Sequence, residues 1–162
     1  FQETLIVTSH SIDLKNKKNL SIIPDCLEDH GPLGGVLSAM KWIKDNQKSY
    51  QWIATFPSDT PFFDTSIIDE YKKVTKSKEA SLYFVKSNNK RHNIFGLWSI
   101  NLLEILENDL IKNNFRKVEE WADKIGVKTI NIKLKKFDLF FNINTKKDLE
   151  EAKDILKKIK ND

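Results

Sequence analysis

The chain has 162 residues, of which 40% are hydrophobic and 31% charged, and 27 basic against 23 acidic side chains give a formal net charge of +4. This is typical of one soluble globular domain, and the small basic excess suits an anionic small substrate better than nucleic acid or a membrane surface. The single cysteine, Cys26, excludes an internal disulfide and fits a reducing compartment. The sequence has no apolar run of about 18 residues and no secretory signal, so we expect a cytoplasmic protein.

Short β-rich runs alternate with helical patterns, which predicts an α/β fold: a Rossmann-like, mostly parallel sheet with helices on both faces. The predicted elements, in chain order, are strands at 5–8 and 20–23, a helix at 36–43, a strand at 51–56, a helix at 64–76, strands at 80–85 and 93–98, helices at 102–111 and 118–125, a strand at 127–132, a strand in the apolar run from 139, and a last helix opening at Thr145. Thr145 and Asp148, three residues apart, resemble a capping box at the start of the last helix. This helix should bury the stripe formed by Leu149, Ala152, Leu156 and Ile159.

The motif Phe56-Pro57-Ser58-Asp59-Thr60-Pro61 directly follows the apolar strand 52–56. In open α/β sheets, ligands bind just outside the carboxyl ends of the strands. Mg²⁺ bound to nucleotide phosphates usually takes only one or two protein carboxylates. Asp59 is therefore the first candidate metal ligand. The structural alternative is a turn aspartate whose place residue preference alone explains.

A second candidate site combines Asp25, which follows a predicted strand, with Gly31-Pro32-Leu33-Gly34-Gly35 just before a predicted helix. Glycines allow the backbone to approach a ligand closely, and a helix N-terminus attracts phosphate. The segment is neither a dinucleotide-binding glycine motif nor a P-loop. A tight turn that needs glycine for its dihedral angles explains it equally well.

Two basic pairs and two asparagines complete the candidates. Arg91-His92 precedes the aromatic strand Phe95-Gly96-Leu97-Trp98, and Arg116-Lys117 opens a helix. Either pair could hold a phosphate. Alternatively, Arg116 and Lys117 could belong to a solvated surface, and His92 could make a structural hydrogen bond. Alternation along a strand would send Asn142 and Asn144 to one side, where their amides could bind a heterocycle or the loop backbone.

Together these motifs resemble those of molybdenum cofactor guanylyltransferases, the MobA-like nucleotidyltransferases with a Rossmann-like fold. The resemblance spans nearly the whole chain. The matching segments are Ile23-Pro24-Asp25, Gly31-Pro32-Leu33-Gly34-Gly35, Phe56-Pro57-Ser58-Asp59-Thr60-Pro61, Phe95-Gly96-Leu97-Trp98, Arg116-Lys117-Val118 and Phe141-Asn142-Ile143-Asn144-Thr145.

The resemblance implies transfer of GMP from GTP to the phosphate of molybdopterin, with Mg²⁺ as cofactor and release of pyrophosphate. It implies that Asp59 is the catalytic residue and the Mg²⁺ ligand, and that Asp59 helps to place the phosphates on the GTP side. The residues implied on the GTP side are Thr8, Asp25, Gly34 and Gly35, and those on the molybdopterin side are Arg91, His92, Arg116, Lys117, Asn142 and Asn144. The implied partners are GTP, molybdopterin, a molybdenum insertion protein and apo-molybdoenzymes, without nucleic acid or a membrane.

The chain departs from this family at its beginning. Such enzymes open with a strand and a glycine-rich loop followed by a lysine, and nothing here matches that pattern. We therefore expect an N-terminally truncated single domain, residues 1–162, that lacks a strand in the middle of the sheet, between those of Leu5 and Ile53. Two alternatives stay open: a CTP-using molybdenum cofactor cytidylyltransferase, and a non-catalytic module that binds and delivers molybdopterin.

Overall fold

The computed structural model describes residues 2–10, 19–27, 29–77, 79–133 and 138–161. The predicted alternation of strands and helices is confirmed. The elements are β1 (Thr4–Val7), β2 (Leu20–Ile23), α1 (Gly31–Asp45), β3 (Trp52–Thr55), α2 (Ser66–Ser77), β4 (Leu82–Ser87), β5 (Lys90–Ser99), α3 (Leu103–Lys112), α4 (Val118–Ile125), β6 (Lys128–Asn131) and α5 (Lys146–Asn161). Within these ranges, no helix is both long enough and apolar enough to cross a membrane.

The described strands form two sheets. β1 and β2 pair in parallel, and the other strands form a sheet in the order β3-β5-β4-β6. In this second sheet β3, β4 and β6 share one direction, and β5 runs against them. The predicted mostly parallel arrangement is thus present, with β5 as the reversed strand.

Helices cover both faces of the larger sheet, as predicted. Strand side chains point alternately to opposite faces. Leu82 and Phe84 of β4 pack with α1, α3 and α4, whereas Tyr83 and Val85 pack with Ile67 of α2. The sheet is therefore the middle layer between two apolar cores.

The β4–β5 hairpin places two candidate residues inside a strand rather than before it. Its two turn residues, Asn88 and Asn89, have φ angles of 44° and 62°. Positive φ at both central residues is the type I′ geometry that matches the twist of paired strands. Pairing therefore starts at once, and Arg91 and His92 lie within β5 opposite β4.

The prediction that Gly34 and Gly35 precede the helix was wrong, because α1 already begins at Gly31. Pro32 suits the first helical turn, where a missing N–H costs nothing. A Cβ at Gly34 would stand 2.9 Å from the Leu27 carbonyl oxygen and 3.0 Å from Asp25 Oδ1. Gly34 is thus required for close packing of α1 on the loop after β2.

The strand predicted from residue 139 was also wrong, since residues 138–145 form no strand. Asp138 turns the chain there, because its Oδ1 accepts a hydrogen bond from the Phe140 N–H at 2.9 Å. Leu139 and Phe140 are consecutive and both buried, which strand alternation would not allow on one face. This segment is a turn that inserts two adjacent side chains into the core.

The last helix opens as predicted but packs differently. Thr145 Oγ1 accepts from the Asp148 N–H, and Asp148 Oδ2 accepts from the Thr145 N–H, which forms the predicted capping box. Ala152 is buried, whereas Leu149 and Leu156 are 45% and 44% exposed. The predicted stripe was therefore wrong for these two leucines, because the helix turns inward the face that carries Ala152 and the half-buried Ile155 and Ile159.

Candidate functional site

The Asp59 carboxylate lies in the loop that follows β3 and is half-buried. Its Oδ1 lies 3.2 Å from the Thr60 hydroxyl oxygen, within hydrogen-bond distance. In the described part of the chain no lysine, arginine or histidine forms an ion pair with it. A partly desolvated carboxylate without a cationic neighbour offers the hard oxygen ligands that Mg²⁺ prefers. The donor set fits a magnesium ion held by one protein carboxylate and by substrate phosphates.

The segment before α5 is fixed to this loop. The Ile143 N–H donates to the Asp59 carbonyl oxygen at 2.8 Å, and the Thr60 hydroxyl donates to Asn142 Oδ1 at 2.7 Å. Asn142 is therefore brought to Asp59, although 82 residues separate Thr60 from Asn142. Asn144 is exposed, and its N–H donates to Asp148 in the α5 cap.

Asp25 lies at the carboxyl end of β2, against the first turns of α1. Its Oδ1 accepts from the Leu27 N–H at 3.1 Å and lies 3.2 Å from the Ser38 hydroxyl oxygen, which is also 2.8 Å from the Gly34 carbonyl oxygen. The Ser38 hydroxyl also accepts a hydrogen bond from the Cys26 N–H at 2.8 Å. These bonds hold the Asp25 carboxylate in one orientation beside Gly34.

Thr8 and Gly35 lie near Asp25. The Thr8 N–H donates to the Ile23 carbonyl oxygen at 3.0 Å and so extends the β1–β2 ladder. A Cβ on Gly35 would be 3.9 Å from the Val7 side chain. The structure thus gathers the four residues predicted for the nucleotide side where β1 and β2 end and α1 begins.

A cavity of about 1000 Å³ lies between β1 and β3 and connects these two regions. The two strands that line it are not paired with each other. Gly35 contributes to its wall on the α1 side, and Pro57, Ser58 and Thr60 contribute on the side of the Asp59 loop. A bound molecule in this cavity would therefore reach both the start of α1 and the Asp59 loop.

Arg91 is held by protein carboxylates. Its guanidinium lies 2.6 Å from Asp123 Oδ1 and 3.5 Å from Glu119 Oε1, and Nε donates to Asn93 Oδ1 at 2.7 Å. A phosphate that binds here would compete with two carboxylates. The contacts of Arg91 therefore favour a structural role, in which its side chain links β5 to α4.

Arg116 and Lys117 point to different neighbours. Arg116 donates to the Asp29 carbonyl oxygen at 3.0 Å and to Asn114 Oδ1 at 3.2 Å, so it lies beside the start of α1. Lys117 pairs with Glu120 at 2.7 Å, and this hydrogen bond raises the pKa of the lysine. Lys117 is strongly exposed, which suits the solvated-surface interpretation.

His92 lies between β4 and the turn that precedes α5. Its Nε2 is 2.8 Å from Ser87 Oγ, and its ring stacks on Phe140 with 3.8 Å between centroids. Burial lowers the pKa of His92, and the Lys90 charge lowers it further, against an opposing effect of Asp138. The ring is therefore neutral at pH 7 and brings no positive charge to a phosphate.

Two residues at the site were missed by the sequence analysis. Thr60 connects Asp59 to Asn142, and Ser38 connects Asp25 to α1. No local pattern marks either residue, since each contact joins distant positions in the chain. Among the described residues there is also no group of three or more histidine, cysteine, aspartate or glutamate side chains that could hold a metal, which leaves single carboxylates as the candidates.

Comparison with known proteins adds sequence relatives. A family model described as MobA-like NTP transferase domain matches residues 1–125. A protein of Nitrobacter hamburgensis named molybdenum cofactor guanylyltransferase is 29% identical over 134 residues, which is 82% of this chain and 64% of the relative. One of the same name from Rhizobium meliloti is 30% identical over 140 residues, which is 82% of this chain and 63% of the relative. The chain thus spans less than two thirds of the length of these relatives.

Two solved structures share the fold. The molybdopterin-guanine dinucleotide biosynthesis protein A of Archaeoglobus fulgidus superposes with a TM-score of 0.67 at 22% identity, over 85% of this chain and 69% of that one. The 2-C-methyl-D-erythritol 4-phosphate cytidylyltransferase of Francisella tularensis gives a TM-score of 0.68 at 16% identity, over 94% of this chain and 80% of that one. At these identities the likeness establishes the fold alone.

Proposed function

Because the chain belongs to the MobA-like NTP transferase domain family and has relatives named molybdenum cofactor guanylyltransferase, we propose that it transfers GMP from GTP to the phosphate of molybdopterin and releases pyrophosphate. The observation that carries this proposal is the half-buried Asp59 carboxylate, which has no ion-pair partner in the described part of the chain. It lies next to loop residues that line the cavity.

The chemistry requires two anions to approach each other, since a phosphate oxygen must attack the α-phosphate of GTP. Asp59 would hold the cofactor Mg²⁺, and Ile143 fixes the Asp59 backbone through its N–H. A Mg²⁺ ion held there would supply positive charge that offsets the repulsion between the two anions. No side-chain nucleophile is required.

The start of α1 supplies a second feature that suits phosphates. The helix has no acidic residue in its first turn. The N-terminal N–H groups and the positive end of the helix dipole attract anions. Gly35 of this helix lines the cavity, so we propose that the GTP phosphates lie between α1 and the Asp59 loop.

The choice of base requires an experiment, because the fold is shared with a cytidylyltransferase. We expect GTP to be used at least about tenfold more efficiently than CTP when both compete for molybdopterin. The measurement is the ratio of guanine to cytosine dinucleotide products from an equimolar mixture. Preferential formation of the cytosine product would favour the CTP-using alternative.

The binding and delivery alternative is favoured by one observation. Among the described residues that line the cavity, none is lysine or arginine, so the cavity wall brings no positive side chain to a triphosphate. A module that only carried molybdopterin would not need such a charge. Substitution of Asp59, treated in the Discussion, separates the two functions.

We also propose that a β-strand occupies the part of the cavity between β1 and β3 in the active protein, and that the nucleotide binds at the end of this strand, between α1 and the Asp59 loop. Each strand uses one edge, β1 toward β2 and β3 toward β5, and unpaired strand edges are templates for a further strand. Because the facing edges of β1 and β3 are unpaired among the described strands, we expect residues 1–162 without a strand between them to unfold over a broad temperature range and to transfer little GMP. A cooperative thermal transition with full transferase activity would contradict this expectation.

A further inference from the structure

Thr60 is the buried member of the Asp59 loop. It is 1% exposed, and its hydroxyl lies between two side-chain oxygens, 2.7 Å from Asn142 Oδ1 and 3.2 Å from Asp59 Oδ1. Buried hydroxyls in proteins usually have at least one hydrogen-bond partner. The hydroxyl of Thr60 thus joins a residue implied on the GTP side to one implied on the molybdopterin side.

The protons at this junction allow two arrangements. A hydroxyl has one proton, so it can donate to only one of the two oxygens. In the first arrangement Thr60 donates to Asn142 Oδ1. A half-turn of the Asn142 amide replaces Oδ1 by Nδ2, which then donates to Thr60 Oγ1, and the hydroxyl proton becomes available to Asp59. The second arrangement satisfies all three side chains.

We propose that Thr60 is a positioning residue that couples the Asp59 carboxylate to Asn142 through its hydroxyl. A hydrogen bond from Thr60 would fix one carboxylate oxygen, so that the other remains directed toward the cation. A ligand that turns the Asn142 amide would in turn change the hydrogen bond that reaches Asp59. This inference rests on the proposed function, since it assigns Asp59 to a metal–nucleotide complex.

Other parts of the loop support the coupling. The backbone bond from Ile143 N–H to the Asp59 carbonyl oxygen, at 2.8 Å, keeps the two segments at a fixed separation. Asn142 is itself exposed, so a ligand can reach it while Thr60 stays buried. The geometry therefore provides a buried link with one accessible end.

The test measures binding of Mn²⁺ together with GTP by the full-length gene product, using calorimetry, with Mn²⁺ as the probe for Mg²⁺. Thr60→Val keeps the shape of the side chain and removes the hydroxyl. We expect about tenfold weaker binding of the Mn²⁺–GTP complex, the effect of losing one hydrogen bond to a charged group. Thr60→Ser should restore binding to within about threefold of wild type.

A double-mutant cycle with Asn142→Ala tests the coupling itself. Because Asn142 is exposed, this variant should fold, and the double variant should bind little more weakly than Thr60→Val alone. Thr129→Val makes the same chemical change at an exposed β6 position and should leave binding unchanged. The inference would be overturned if wild type and Thr60→Val bind Mn²⁺–GTP with equal affinity, or if wild type does not bind it. It would also be overturned if the losses of binding free energy in the two single variants add up in the double variant.

These outcomes differ from failure of the proposed function. If wild type binds Mn²⁺–GTP and the cycle is non-additive, but no GMP reaches molybdopterin, then the coupling stands and the transferase proposal fails. If GMP transfer is observed and Thr60→Val binds as wild type does, the coupling fails and the transferase proposal stands.

Discussion

Replacing Asp59 by asparagine is expected to lower GMP transfer at least about 100-fold, as loss of a key electrostatic group in an active site commonly does. The amide keeps the size of the side chain but removes the negative charge that would hold Mg²⁺. No cluster of three or more acidic, histidine or cysteine side chains exists among the described residues to compensate. The measurement is kcat for formation of the guanine dinucleotide product by the full-length protein.

The matched control for this substitution is Asp154→Asn. Asp154 is exposed and forms a surface ion pair with Lys157, which contributes little to stability. Asp154→Asn should leave kcat unchanged, so a loss of kcat found only in Asp59→Asn assigns the effect to the site. Undiminished transfer by Asp59→Asn would contradict the assignment. The delivery module would be favoured if wild type binds and delivers molybdopterin without transferring GMP, and if Asp59→Asn binds and delivers it equally well.

Replacing Gly96 by alanine is expected to destabilise the fold by about 3 kcal/mol, from overpacking and a lost buried hydrogen bond. A Cβ at Gly96 would stand 2.5 Å from Trp98 Nε1 and 2.9 Å from Phe84 Cε1. Both side chains are fully buried and have no room to retreat. Moving Trp98 would also break its 2.9 Å hydrogen bond to Thr55 Oγ1. Urea denaturation of both proteins measures the loss.

Gly126→Ala provides the comparison for Gly96→Ala. Gly126 ends α4 with φ of 80°, and a Cβ there would meet no atom within 4 Å. The cost should therefore be limited to the left-handed backbone, about 1–2 kcal/mol. A Gly96→Ala protein as stable as wild type, or more stable than Gly126→Ala, would show that the sheet can adjust around the new methyl group.

Local signals in the sequence predicted much of the fold. The predicted helix 118–125 is confirmed, and its end is fixed by Gly126 in the left-handed conformation that glycine tolerates. The Thr145–Asp148 capping box is likewise confirmed, since it depends on residues three positions apart. Such features are encoded within one or two helical turns, so they can be inferred without knowing the tertiary structure.

Features that depend on distant contacts could not be predicted in the same way. Residues 138–145 carry the apolar pattern of a strand, but Asp138 and the bond from Ile143 to Asp59 hold them in a turn. Gly34 was placed before the helix because its role, close packing against Asp25, is visible only in three dimensions. The link between Thr60 and Asn142 has no local signature either, which is why the candidate site was predicted only in part.

The most direct test of the central claim follows the phosphates of GTP. The full-length protein is incubated with Mg²⁺, molybdopterin and GTP labelled at either the α- or the γ-phosphate. Transfer of GMP predicts that the α-label appears in the pterin product and the γ-label in pyrophosphate. If no label joins the pterin while molybdopterin remains bound to the protein, the chain is not a guanylyltransferase, and its family fold serves binding instead of transfer.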